Sequence, residues 1–164
     1  LKVAKIAEKL CDNLTKADHK INKELVVKAA LLHDLVRVAD FSKLDLKRFK
    51  QEMRSKDIEK WIELREKHGL EGHVKAGAKI LKDLGHNRIA NLIAKHGIFS
   101  VDELKSWEEK VLYYADKRVV GSRKVRLKTR LRKIWKKHPA SKSLGPKIIA
   151  LEKELKAATK KKVI

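Results

Sequence analysis

Apolar residues recur at helical spacing along nearly the whole chain, and this periodicity constrains the fold more than any other feature. The first segment already places five apolar side chains on one face of a helix: Val3, Ile6, Ala7, Leu10 and Leu14. Only two prolines and seven glycines interrupt the 164 residues, and the glycines lie between the helix-like runs. Because 43 % of the residues are hydrophobic, the chain can also bury a core. The sequence therefore predicts an all-α fold in a single compact bundle.

Capping residues and glycines predict where the individual helices begin and end. Asn22 is a suitable N-cap for a second helix, which runs directly into His33 and Asp34 and whose many apolar positions indicate near-complete burial. Two pairs have the spacing of a capping box: Ser100 with Glu103, and Ser106 with Glu109. Four glycines are placed to end helices: Gly69, Gly85, Gly97 and Gly121. The further predicted elements are helices over 43–53, 55–67, 73–84, 87–96, 106–121 and 124–137, a loop over 141–145, a helix with Pro146 at its first position, and fraying at 160–162.

Positive charge is concentrated at the end of the chain. The net charge is +21, and residues 117–164 carry 18 Lys or Arg against two Glu. A field of that sign attracts polyanions such as nucleotides, nucleic acid or acidic membrane surfaces. A solubilising lysine-rich surface explains the same composition, so both interpretations stay open.

The single cysteine and the absence of long apolar runs bear on location. Cys11 cannot form an internal disulfide and fits a reducing cytoplasm. No apolar run reaches the roughly 18 residues needed to span a bilayer, and the N-terminus lacks the pattern of a secretory signal. We therefore expect a cytoplasmic protein without a membrane span. The sequence leaves its oligomeric state open.

Five residues are candidates for a metal site: His33 and Asp34 within an apolar helix, His73 at the start of a helix, His96 at the end of one, and Asp116, which interrupts an apolar run. Imidazole nitrogens and carboxylates are the ligands that Fe, Mn, Zn and related divalent ions prefer. No pair has the i, i+4 spacing of a single-helix zinc site, so tertiary packing must bring these residues together. Each residue alone also has a plain explanation, such as a chance dipeptide or a helix-terminal histidine. The other four histidines lie in polar surroundings and are expected to be solvated: His19, His68, His86 and His138.

The combination of these residues resembles a known family. The ordered segments AALLHD, GHVKAGAKIL, IAKHG and EEKVLYYADKRV are similar to those of the HD superfamily of metal-dependent phosphohydrolases, over most of residues 1–135. They resemble in particular the subset with a dinuclear site, which includes bacterial diadenosine tetraphosphate hydrolases. The resemblance implies a helical HD domain over 1–138, with 139–164 as a basic C-terminal helix packed on the same domain.

The resemblance also implies roles for the five candidates. His33 and Asp34 match the signature doublet, with Asp34 bridging two metals. His73 and His96 match the histidines that bind the second metal, and Asp116 matches the distal aspartate that helps to hold the first. The family has a further histidine on its first helix, at a position that would precede Leu1, and we expect it upstream of the sequence shown.

Two divalent ions, Fe, Mn or similar with Zn, Co, Ni or Mg as alternatives, are the implied cofactors. About 3.5–4 Å apart, they would lower the pKa of a shared water and supply a hydroxide that attacks phosphorus. Asp34 and Arg37 are the candidate catalytic residues, and Arg37 is the first candidate phosphate clamp. Further candidates for binding substrate phosphate are Lys117, Arg118 and Arg130. The expected substrate is a nucleotide phosphodiester or phosphoanhydride.

The main alternative is a nucleic-acid-binding protein that keeps the HD fold with weak or lost catalysis. The basic C-terminal third could contact RNA or DNA phosphates, alone or to bring RNA to a phosphodiesterase site. Few aromatic residues are present for base stacking, and four of them are expected in the core: Trp107, Trp135, Tyr113 and Tyr114. A purely structural bundle gives no reason for polar ligands inside the apolar runs.

Overall fold

The computed structural model describes residues 1–41 and 54–159 and confirms an all-α fold. No helix in these two ranges is both long and apolar enough to cross a membrane. The helices are α1 (Lys2–Thr15), α2 (Lys23–Leu32), α3 (Ser55–His68), α4 (Gly72–Asp83), α5 (Asn87–Ala94), α6 (Trp107–Asp116), α7 (Leu127–Lys137) and α8 (Gly145–Ala158). Short 3-10 helices cover Arg37–Asp40, Ile98–Glu103 and Pro139–Leu144. The helix predicted over 43–53 and the fraying predicted over 160–162 lie outside the described residues.

Helix α6 lies at the centre of the core. Its residues from Val111 to Ala115 are all buried, and the apolar faces of α1 and α2 pack against it. Helix α4 packs on α5, which in turn contacts α2. The buried side chains of α8 belong to the same hydrophobic cluster: Ile148, Leu151 and Leu155. The C-terminal helix therefore shares the core of the bundle, while the predicted boundary at 138 stays a prediction.

A polar network also ties α8 to the end of α6. The buried Tyr114 hydroxyl donates a hydrogen bond to Glu152 Oε1 at 2.7 Å. Arg118, which is buried, donates to the same hydroxyl and lies 3.9 Å from Glu152. These groups satisfy one another, so their burial does not leave an unpaired charge.

Two of the three predicted helix starts with side-chain caps are confirmed. Asn22 Oδ1 accepts a hydrogen bond from the Leu25 N–H at 2.9 Å. Ser106 Oγ accepts from the Glu109 N–H, and Glu109 Oε2 accepts from the Ser106 N–H, so this capping box is complete. The predicted pair at Ser100 is wrong, because residues Ile98–Glu103 form a 3-10 helix that begins after Gly97 without a side-chain cap.

Several helices end earlier than predicted. Helix α2 ends at Leu32, so His33 and Asp34 lie in the turn that follows it rather than inside a buried helix. Helix α5 ends at Ala94 instead of running to His96 and Gly97. Gly85 does follow α4 with a positive φ of 83°, as the sequence predicts.

A short β-hairpin that the sequence does not predict separates α6 from α7. Strand β1 (Val119–Val120) pairs antiparallel with strand β2 (Arg123–Lys124), and Gly121 with φ of 57° forms the turn between them. Helix α6 therefore ends at Asp116 rather than at Gly121, and α7 begins at Leu127 rather than at Lys124. Most of the predicted loop over 141–145 belongs to the 3-10 helix that precedes α8. Helix α8 begins at Gly145, so Pro146 is its second residue rather than its first.

The two serine caps give a stability test. Ser106→Ala removes a side-chain acceptor from the start of α6, so we expect a loss of about 1 kcal/mol in the free energy of unfolding. Ser100→Ala is the matched control, because Ser100 caps no helix, and it should cost clearly less. Urea titration followed by far-UV circular dichroism measures both. Equal losses for the two variants would contradict this assignment of the cap.

Candidate metal centre

His33 and Asp34 stand at the point where α2 ends. The His33 ring is buried at 8 % exposure, and its Nδ1 is 2.9 Å from the Ala30 carbonyl oxygen one turn earlier. A carbonyl can only accept, so Nδ1 carries the proton and Nε2 keeps its lone pair. The side chain of Asp34 is 44 % exposed and opens to solvent on one side. The expected burial of Asp34 is therefore wrong, because the helix ends before it.

His73 lies in the first turn of α4, where Asp40 holds it at two points. Asp40 Oδ1 accepts from the His73 backbone N–H at 2.8 Å, and Oδ2 accepts from Nδ1 at 2.6 Å. Gly72 precedes His73 with φ of 74°, a backbone conformation that favours glycine. Asp40 thus caps α4 and directs the His73 ring. Sequence reasoning missed it, since no local spacing links residues this far apart.

His96 and Asp116 complete the cluster from α5 and α6. His96 follows α5, is 3 % exposed, and its Nδ1 donates to the Ile93 carbonyl oxygen at 2.6 Å. Asp116 is the last residue of α6. Its Oδ2 accepts from the Lys117 ammonium at 2.8 Å, and its Oδ1 lies 3.6 Å from His33 Nε2.

All five predicted ligands converge, and their donor atoms form two groups around Asp34. Asp34 Oδ1 lies 3.2 Å from His73 Nε2 and 4.0 Å from His96 Nε2, and the two Nε2 atoms are 3.2 Å apart. Asp34 Oδ2 lies 3.6 Å from His33 Nε2, which in turn faces Asp116 Oδ1. We call the first set the His73 group and the second the His33 group.

The donor set fits a divalent cation. Each of the three histidines uses Nδ1 to donate to a protein acceptor, so its Nε2 lone pair points into the cluster. A hydrogen bond from the ring nitrogen that faces away from the ion orients a metal-binding histidine and fixes its tautomer. Ligand atoms of Asp34, His73 and His96 all lie within 4.8 Å of one another, close enough to share one ion. The cationic Arg37 already lies among these atoms, with Nη1 2.8 Å from His73 Nε2 and 3.8 Å from Asp34 Oδ1.

The electrostatics of the cluster keep the carboxylates charged. Burial would raise the pKa of Asp116, but the adjacent Lys117 and then the His33 ring hold it well below its usual range. Partial burial would also raise the pKa of Asp34. The hydrogen bond with His73 and the charges of His33 and Arg37 outweigh this effect and lower the pKa. Two carboxylates are therefore ionised at neutral pH and favour a cation between them.

Two of the histidines respond to this field in opposite directions. Burial and the neighbouring Lys117 charge lower the pKa of His96 to about 4, so this ring is neutral at pH 7. Burial would also lower the pKa of His33. The negative charges of Asp116 and then Asp34 outweigh burial, so the pKa of His33 is raised. A metal ion binding at His33 would therefore have to compete with a proton.

The four cationic residues expected at the substrate phosphate lie in different environments. Arg37 is 43 % exposed at the edge of the cluster. Lys117 is 3 % exposed and donates to the His96 carbonyl oxygen and to Asp116, and Arg118 is 7 % exposed and donates to the Val125 carbonyl oxygen. Neither of these two presents a free cation to a substrate. Arg130 is half-buried on α7, and no hydrogen bond or ion pair joins it to the cluster within the described residues.

The remaining histidines are placed only partly as predicted. His86 and His138 are exposed, which confirms the expectation for them. The prediction that His68 is solvated is wrong. This residue is 5 % exposed at the end of α3, and its Nδ1 lies 3.7 Å from a carboxylate oxygen of Glu71. His19 is half-buried because its ring packs on Trp107, with 5.0 Å between ring centroids.

The comparison with protein families agrees with this site. A family model described as the HD domain matches residues 1–120. The chain has no significant match among curated proteins or among solved structures. The matched segment is more than half of the chain and contains all five candidate ligands. The chain therefore belongs to the HD domain family.

Proposed function

We propose that this protein is a metal-dependent phosphohydrolase that cleaves a nucleotide phosphodiester or phosphoanhydride. The observation that carries the proposal is the position of Asp34, whose two carboxylate oxygens face the His73 group and the His33 group separately. A carboxylate in that position can bridge two cations. The family membership of the chain supports the same chemistry.

The proposed cofactor is a pair of divalent ions. His73, His96 and Asp34 Oδ1 would hold one ion, and His33, Asp116 Oδ1 and Asp34 Oδ2 would hold the other. Nitrogen and oxygen donors of this mixture suit Fe and Mn, and they also accept Zn, Co, Ni or Mg. Specific similarity to the dinuclear subset and to diadenosine tetraphosphate hydrolases stays a prediction from the sequence segments.

When bound, such ions lower the pKa of a water and neutralise charge on phosphoryl oxygens. The residues of the chain have complementary roles. Asp34 is open to solvent on one side, so a phosphate can reach the centre beside it. Arg37 lies on that open side and could pair with a phosphate oxygen, since a guanidinium matches phosphate geometry. Lys117 keeps one oxygen of Asp116 engaged and leaves the other directed at His33.

The substrate class is inferred from the same features. A partly exposed arginine beside two carboxylates and three imidazoles is suited to a phosphoryl group held by cations. Lys117 and Arg118 are not part of this proposal because their charged ends are used inside the protein, and Arg130 stays a weaker candidate. A cytoplasmic location, as expected from the single cysteine, stays part of the proposal. Nucleic-acid binding would use another part of the surface and does not compete with hydrolysis.

The metal content of variants tests the two-group arrangement. We expect protein purified without chelator to hold about two divalent ions per chain. Asp34→Ala should lose nearly all of the metal and lower kcat by roughly a thousandfold, because it contributes to both groups. His96→Ala should keep about half of the metal, since the His33 group remains. Elemental analysis and hydrolysis of bis(p-nitrophenyl) phosphate and a panel of nucleotides provide the measurements.

His86→Ala and Asp83→Ala are the matched controls, because both side chains are exposed and neither contacts the cluster. They should keep the metal and the turnover of the wild type. Wild-type protein that binds no divalent ion would overturn the proposed function. Equal metal loss in His96→Ala and Asp34→Ala would reject two separate groups.

Asp40 should act as a positioning residue for His73. Asp40→Asn keeps the shape of the side chain but removes the charge that holds Nδ1–H, so the Kd for Mn²⁺ should rise roughly 10- to 100-fold. Titration calorimetry on the metal-free protein measures this, with Asp83→Asn as the control on an exposed aspartate. An unchanged Kd for Mn²⁺ in Asp40→Asn would show that Asp40 only caps α4.

Arg37 gives a separate test of phosphate recognition. Arg37→Ala should lower kcat/KM roughly 10- to 100-fold, the loss expected for one charged hydrogen bond, while the metal content stays unchanged. Arg37→Lys should recover only part of the loss, because lysine lacks the planar fork. The exposed Arg88→Ala is the matched control. Loss of metal in Arg37→Ala would instead assign Arg37 to the support of His73.

A further inference from the structure

A run of exposed cations follows the metal centre along the chain. From residue 117 to residue 151 the sequence contains no Asp or Glu. Strand β2, helix α7 and the N-cap residue Arg126 between them carry eight exposed basic residues, which we call the α7 cationic surface: Arg123, Lys124, Arg126, Lys128, Arg132, Lys133, Lys136 and Lys137. This surface lies outside the site proposed above and could act whether or not the protein is a phosphohydrolase.

The packing of α7 against the domain leaves these cations on its solvent-exposed face. Leu127 and Leu131 are buried at 4 % and 1 % exposure and belong to the main hydrophobic cluster, so one face of the helix is held against the domain. The hairpin is fixed at the start of the helix, since the Val125 N–H donates to the Arg118 carbonyl oxygen at 2.8 Å. The cations therefore project from a rigid support.

Among the residues that the structure describes, the cations of this surface have no ion-pair partner. No ion pair in residues 1–41 and 54–159 involves a basic residue of β2 or α7. Some exposed cations elsewhere do have acidic partners, for example Lys28 with Glu24 at 2.6 Å and Lys147 with Asp102 at 2.6 Å. The α7 cationic surface differs from these regions in that its eight cations lie close together, in a stretch of sequence that contains no Asp or Glu.

The arrangement on α7 also carries an internal cost. Lys128, Arg132 and Lys136 follow one another at i, i+4 spacing, and Lys133 and Lys137 repeat it. Like charges at this spacing repel and destabilise a helix. A polyanion lying along the helix would remove that repulsion, because each turn presents another cation about 6 Å further on.

The surface fits nucleic acid better than a membrane. An amphipathic membrane helix must offer an apolar face to lipid, whereas the apolar face of α7 is already buried in the domain. The only aromatic residue from 117 to 151 is Trp135, which is half-buried and packs against the position of Gly145. The described residues of this surface therefore offer bases no exposed Phe, Trp or Tyr ring to stack on, which favours contact with backbone phosphates.

We propose that the α7 cationic surface binds the phosphate backbone of nucleic-acid duplexes without reading their sequence. The charge of each phosphate attracts the exposed ammonium and guanidinium groups, and binding releases counterions from the duplex. The affinity consequently falls steeply as salt rises. GC-rich and AU-rich duplexes of equal length bind equally.

A charge-matched pair of variants tests this. K128Q/K133Q/K136Q removes three exposed lysines from α7, and K2Q/K5Q/K9Q removes three exposed lysines from α1, so both have the same net charge. Fluorescence anisotropy with labelled 20-base-pair RNA and DNA duplexes, in EDTA to prevent hydrolysis and at several KCl concentrations, gives the Kd and its salt slope. We expect the α7 variant to lose roughly 10-fold or more in affinity at 0.1 M salt, and its slope to fall by about one for each lysine removed. The α1 variant should stay within roughly threefold of the wild type.

Several results would overturn the proposal. They are an absence of duplex binding by the wild type, equal losses in the two variants, or binding to phosphatidylserine vesicles without binding to either duplex. Far-UV circular dichroism and metal content, unchanged in both variants, show that the fold and the metal centre are intact. The RNA and DNA arms report which duplex is preferred, and preference for either supports backbone binding.

Discussion

Three hydrogen bonds from histidine Nδ1 atoms determine what this bundle can bind. His33 and His96 donate to carbonyl oxygens at the ends of their own helices, and His73 donates to Asp40. Since each acceptor is part of the folded backbone or of a capping side chain, the imidazoles lose their rotational freedom when the helices form. The energy of assembling the ligands is thus contributed by folding, and an ion meets a set of lone pairs already aligned.

Lys117 places a buried positive charge beside the cluster and bonds two of the elements that carry the candidate ligands. Its ammonium is almost fully buried, which is costly unless every proton finds a partner. It donates to the His96 carbonyl oxygen and to Asp116, and it lies 4.3 Å from the centre of the Tyr113 ring. The Lys117 side chain therefore links the segment that follows α5 to the end of α6. It holds the candidate ligands His96 and Asp116 at a fixed separation.

Much of the fold, and the convergence of the five candidate ligands, could be predicted from the sequence. The spacing of apolar residues located the helices, because the buried face of a helix needs apolar side chains. Gly85 located the end of α4, because its positive φ favours glycine. The ends of α2 and α6 could not be predicted, since they depend on contacts such as His33 with the Ala30 carbonyl and the pairing of Val119 in a hairpin. Asp40 and the burial of His68 were missed for the same reason: their partners are chosen by packing between elements, which no local spacing records.

The Tyr114–Arg118–Glu152 network has a consequence for how the chain can be divided. The family model ends at residue 120, but Arg118 and Tyr114 find their carboxylate on α8, far beyond that limit. Both donors flank Asp116, the candidate ligand at the end of α6. Cutting the chain after the matched segment would remove the Glu152 carboxylate and the Val125 carbonyl oxygen to which these two side chains are hydrogen-bonded, and would uncover the end of α6. The C-terminal helix consequently stabilises the part of the bundle that carries the candidate metal centre.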